Sequence, residues 1–512
     1  MSAAQIFSGN GPTTPACDAV FERPDFTLIK GQHMKHLSIS TTAIAATLLA
    51  TTASAQDFKY EPTVGFPDFG FFEAPGKYVG PVFVLSDNFP REAPALDPEV
   101  VDILAIDYAT DPLAYVMAVR DYVFKGNIRG GAVTDDFFLQ HNTAGIDWYH
   151  VPWQHWGSNG REGYHGLTRE GPLSPQVLHP DQSRSSSAYA VGFYNGPGGF
   201  TIGQVWPSAD TGPDMTHMIN AMETGQAFPE GTVVGKFLFT VLDETQVPWL
   251  TNPLSWQAYI YNCDVIGLET CPSDLPTAAR STQTVNLLQM DVMVKDLSAT
   301  EAGGWVFGTF AYNGAASKSE EYATTYGTAC ESFEGAGKNW CNLMPVGVMW
   351  GNDPQDNATF LNSKPVETVI NADLKETWIN PDAALPPMHL GFNSRLNGPA
   401  DNPTSSCMSC HSTGQIASIS PIMPWLSPSS LPIPANGDPA SDAWMRWFRN
   451  FKDGETFDAG QAISMDFSMQ LTKSVENYLQ YRGETQGGSY ALEYWSDSDA
   501  MPISRGAQMP TQ

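Results

Sequence analysis

Cys407-Met408-Ser409-Cys410-His411 is the stretch of this chain whose residue types and spacing prescribe a chemistry. Two thiols separated by two residues can add to the two vinyl groups of one haem. The histidine that follows then lies beneath the iron as its proximal ligand. A structural zinc site would need a second pair of Cys or His at similar spacing, and the sequence has none. The expected cofactor is therefore one haem c, bound by Cys407 and Cys410 and ligated by His411.

Haem linked through thiols is assembled outside the bacterial cytoplasm, so the N-terminus should carry an export signal. Residues 34 to 56 have that form. Met34-Lys35-His36 leads into an apolar, small-residue run ending in Ala53-Ser54-Ala55, with cleavage expected before Gln56. Residues 1–33 lack signal character and are expected to come from a start placed too far upstream, with Met34 the initiator. No cysteine follows the cleavage site, which excludes a lipoprotein, and no later apolar run is long enough to span a bilayer. The expected location is the periplasm of a Gram-negative bacterium.

In an oxidising compartment the remaining cysteines should pair locally, Cys263 with Cys271 and Cys330 with Cys341. A net charge of −29 argues against nucleic acid or an anionic membrane surface as partner. It suits a basic redox partner, and solubility or a saline habitat would account for it equally well.

The elements that must position the motif come from periodicity. Asp111-Pro112 opens a helix running to about Val123. From about 187 to 370 the pattern is of strands, at 188–194, 200–206, 233–242, 258–261, 285–294, 304–312 and 346–350, punctuated by Asn195-Gly196-Pro197 and Asn313-Gly314. One helix near 213–222 interrupts them. Such a series predicts an antiparallel β-sandwich-like region. Further on, Trp444, Trp447, Phe448 and Phe451 share a face of a helix over 441–452. A last helix covers 468–482, with Gly483 as its stop. The expected fold class is thus α+β in two parts, a β-rich region over 56–390 and a small helical haem domain over 391–485, followed by a flexible tail at 486–512.

The order of haem motif, Pro-rich loop (421–439), aromatic helix, Met-containing loop and final helix resembles a single-haem, class I type c cytochrome domain. The resemblance implies electron transfer and a methionine as sixth iron ligand, supplied by a loop before the last helix. Met465 is the first candidate and Met469 the second, with Met423 and Met445 behind them. If no methionine binds, His389 or a histidine from farther away holds the position, or it stays open to small-molecule chemistry.

Five of the ten histidines, His141, His150, His155, His165 and His179, lie in one Trp-rich stretch. The five-residue step from His150 to His155 does not match a helical zinc pair, so they are expected to be polar members of a core or of an interdomain surface. Gly351 to Asn357 is expected to be a turn, since it lacks the spacing of a calcium loop. The functional expectation is a periplasmic c-type cytochrome with a redox partner. Two alternatives are an oxidoreductase whose β-rich, His-rich region binds substrate, and a binding or scaffold module of a redox complex.

Overall fold

A computed structural model describes residue 66 and residues 85–125, 128–129, 132–133, 145–154, 161–162, 167–262, 280–314, 342–357, 369–381, 390–416, 442–457 and 462–486. All of these belong to one unit spanning Ala55–Gln512. The signal segment, all four expected disulfide cysteines, the Pro-rich loop, His141, His155, His165, His389 and Met423 lie outside the described residues.

Side-chain caps start the first two helices, the second at the expected Asp111. The Asp97 carboxylate accepts from the Glu99 N–H at the start of α1 (Pro98–Leu104). Asp111 accepts from Ala114 N–H at the start of α2 (Pro112–Lys125). After a short hairpin (β1 Ile128–Arg129, β2 Ala132–Val133) the chain builds one antiparallel sheet. Its strands are β3 (Arg161–Glu162), β4 (Leu167–Leu173), β5 (Ser186–Tyr194), β6 (Val233–Thr240), β7 (Ser255–Tyr261), β8 (Arg280–Lys295), β9 (Trp305–Tyr312), β10 (Leu343–Met349) and β11 (Thr377–Ile379). Their order is β11-β10-β9-β8-β6-β5-β4-β3, with β7 pairing the first half of β8.

An antiparallel sheet combined with helices is the α+β composition expected. The sandwich is not: among the described residues these strands lie in one nine-stranded sheet, and its faces are covered by helices and loops. The alternation of β9 shows how. Val306, Phe310 and Tyr312 belong to the core shared with α1 and α2. Trp305, Phe307 and Ala311 belong to the core shared with residues 390–478. Gly308 lets α2 come close, since a Cβ there would lie 2.6 Å from Val116 Cγ2. The segment carrying Cys407–His411 therefore packs directly on the sheet.

Three expected elements are corrected. Residues 200–206 are helix, not strand: α3 runs Gly196–Val205, with Pro197 in its first turn. Asn195 ties its start down by donating to Gly231 O (3.0 Å) and accepting from Val233 N–H (2.9 Å). The helix is buried nearly all round, and such a helix shows the same continuous apolar run as a buried strand. The helix of 213–222 is α4 (Thr216–Thr224), ended by Gly225 at φ 78°. The aromatic helix is short, Asp442–Met445 followed by a 3₁₀ turn at Arg446–Phe448, because Arg449 is already extended. The last helix spans Met469–Gln486 and passes through Gly483.

Gly347 of β10 tests the packing of the sheet edge, because a Cβ there would overlap the Trp378 carbonyl of β11. Gly347→Ala should cost about 1–3 kcal/mol, as overpacking does, read from the urea midpoint. An unchanged midpoint would contradict the β10–β11 register.

Candidate functional site

The motif forms a helical turn of its own, Cys407–His411. Ser406 caps it reciprocally: its Oγ accepts from Ser409 N–H (3.0 Å), and Ser409 Oγ accepts from Ser406 N–H (2.8 Å). Ser406 Oγ also donates to Asn352 Oδ1 (2.9 Å), and Asn352 N–H donates to Asn450 Oδ1 (2.7 Å). The turn expected at 351–357 thus serves as a brace for the motif. Within it Asp353, at φ 50°, accepts from Glu376 N–H and Thr377 Oγ1. Arg395, wholly buried, donates to the carbonyls of Asn352, Asp353, Phe392 and Asp356.

Met408 and Ser409 point into the core with no exposure, whereas Cys407, Cys410 and His411 are each half-buried. Positions i, i+3 and i+4 of a helical turn share a face. The two thiols and the imidazole therefore open on the same side, as attachment of one planar group requires. Neither Cys407 nor Cys410 is in a disulfide. Burial, with Asp291 and Asp401 nearby, pushes the Cys407 thiol well above its usual range and keeps it protonated.

His411 Nδ1 lies 2.8 Å from the Phe467 carbonyl. A carbonyl can only accept, so Nδ1 carries the proton. Burial pulls the imidazole down to about 4, which leaves the ring neutral and Nε2 with an unshared pair. This is the tautomer that ligates a metal, fixed by a hydrogen bond on the other nitrogen. Phe307 flanks the ring at 5.1 Å between centroids, and Thr309 Oγ1 lies 3.8 Å from Cys407 Sγ. Both come from β9.

Met465 is fully buried and its N–H donates to Gly414 O (2.9 Å). Just before it, Ile463–Ser464 (β13) pairs with Gln415–Ile416 (β12), the residues that follow the motif. Met465 lies two residues before Phe467, whose carbonyl meets His411 Nδ1. Met469 Sδ takes a weak bond from Thr413 Oγ1 at 3.8 Å, and Met445 packs half-buried on the core. The two described histidines of the Trp-rich stretch do not converge on the motif. His150 is in the core beside Tyr149, and His179 sits in a turn where its Nδ1 accepts from Asp181 N–H.

Sequence reading missed a polar row on the same face of the sheet. Lys236, Asp291 and Thr309 are cross-strand partners on β6, β8 and β9. Asp291 accepts from Thr309 Oγ1 (3.0 Å) and Gln289 Nε2 (2.9 Å), and that amide also donates to Asp401 (2.8 Å). Burial first and Asp401 second raise Asp291 to about 7. A carboxylate in the middle of Met290-Asp291-Val292 was the one signal available. Comparison with protein-family models, curated proteins and solved structures gives no match. The site is read from its geometry.

With no ligand on Nε2, the His411 ring should stay neutral to about pH 4, below the ordinary value of 6.5. The unfolded chain binds the proton first, so this contribution to stability is complete above about pH 6.5 and is lost as pH falls towards 4. A proton NMR titration of the His411 ring checks it. A midpoint near 6.5 would contradict the desolvation of the ring, since the bond to the Phe467 carbonyl by itself raises the value.

Proposed function

We propose that this chain is an exported c-type cytochrome that carries one haem on Cys407 and Cys410, with His411 as proximal ligand, and passes single electrons to a periplasmic redox partner. The observation that carries the reading is the pairing of a shared Cys407–Cys410–His411 face with a neutral imidazole whose Nε2 is left for a metal. Bound there, haem supplies a reversible one-electron change at iron. The chain's own residues do the rest. The Ser406 cap holds the attachment turn, Phe467 O fixes the imidazole tautomer, and Phe307 limits water beside the ring. No described helix is long and apolar enough to cross a membrane, which fits a haem protein released after export.

Met465, fully buried just ahead of the last helix, stays the first candidate for the sixth ligand, with core packing as its alternative role. The oxidoreductase reading draws support from Asp291, a carboxyl able to exchange a proton near neutral pH beside the attachment turn.

Optical spectra of the exported protein, oxidised and reduced, test these readings with Met465→Ala alongside. A six-coordinate low-spin spectrum unchanged in Met465→Ala supports electron transfer with Met465 in the core. The variant should then lose about 2–5 kcal/mol of stability from the cavity. A methionine–iron band that disappears in the variant would name Met465 as the ligand. A high-spin spectrum that shifts on adding peroxide would move the reading to an enzyme.

A further inference from the structure

The carbonyl that fixes His411 sits in a strained turn. Asp466 and Phe467 are consecutive non-glycine residues at positive φ, 46° and 63°, a region that L side chains adopt only at a cost. Such a turn persists only where its surroundings over-determine it. Here they do. The Asp466 carboxylate, 1 % exposed, receives Lys295 Nζ (2.9 and 3.0 Å), Trp305 Nε1 (2.8 Å) and Phe228 N–H (3.0 Å). Lys295 is itself wholly buried, and it also pairs with Asp453 (2.9 Å) and donates to Gly303 O (3.1 Å). Gly303, at φ 89°, leaves the space that the Phe467 ring fills.

We infer that the buried Lys295–Asp466–Trp305 knot is a positioning device, which holds the Phe467 carbonyl on His411 Nδ1 and thereby sets the electron-donating strength of the imidazole towards iron. Two features separate this from ordinary core packing. Lys295 ends β8 and Trp305 begins β9, and both point at a single carboxylate from rigid strands. That carboxylate is adjacent in the chain to the one carbonyl that meets the proximal histidine. An accepting group on Nδ1 makes a ligating histidine more basic, which favours the oxidised iron and lowers the reduction potential. Loosening the knot should do the reverse.

The inference rests on the haem reading, and the test keeps the two apart. Asp466→Asn keeps the shape but removes the charge, Trp305→Phe removes one donor, and Lys295→Arg keeps the cation. All are made as full-length exported protein. Their midpoint potentials are measured together with the ¹⁵N NMR shifts of the His411 ring and the melting temperature. Asp466→Asn should raise the potential, Trp305→Phe should raise it less, and Lys295→Arg should stay closest to wild type. If the protein carries no haem the cytochrome reading fails, but the ring shifts still decide the knot: Asp466→Asn and Trp305→Phe should weaken the Nδ1–H signature in that same material. If Asp466→Asn does not fold, Trp305→Phe carries the test alone. Variants that melt lower yet keep wild-type potential and ring shifts would overturn the inference and leave the knot a packing feature.

Discussion

The hydrogen bond from His411 Nδ1–H to the Phe467 carbonyl is the constraint on which the rest of the site depends. It joins the attachment turn to the Met465–Phe467 turn across the same face of the sheet. It selects one of two tautomers, and burial prevents the ring from escaping into its charged form. A histidine beside two thiols would otherwise be an ordinary titrating side chain. Held in this way it presents a lone pair in a fixed direction at neutral pH.

The sheet matters because it is stiff and two-sided. One face of β9 packs with α1 and α2, and the other presents Trp305, Phe307 and Thr309 in succession to Asp466, His411 and Cys407. Alternation along a strand therefore sets the spacing of three contacts to the attachment region. Polar atoms in that interface are costly unless bonded. The two buried networks, around Asp466 and around Gln289, consequently make the docking of the 390–478 segment specific as well as favourable.

Much of this was legible in the sequence, for local reasons. The motif, the Asp111-Pro112 helix start and the strands of Ser186–Tyr194, Val233–Thr240, Arg280–Lys295 and Trp305–Tyr312 all declare themselves by residue type and period. What escaped was non-local. Glycine-rich α3 has the apolar run of a strand, because a helix buried nearly all round loses its amphipathic period. Met465 has the right position in the chain for a ligand, and only the structure shows that the β12–β13 pairing ties its segment to the residues just after the motif. The Phe467 group that matters is a backbone carbonyl, which no residue type can announce. Asp291 and Asp401 are far apart in sequence and share the Gln289 amide.

The central claim is covalent attachment of one haem at the motif. The most direct measurement is the mass of the acid-denatured exported protein, followed by mass analysis of the peptide containing Cys407 and Cys410. The account predicts one haem retained after denaturation and located on that peptide. Two unmodified thiols, in protein made where haem-attachment machinery is active, would contradict it.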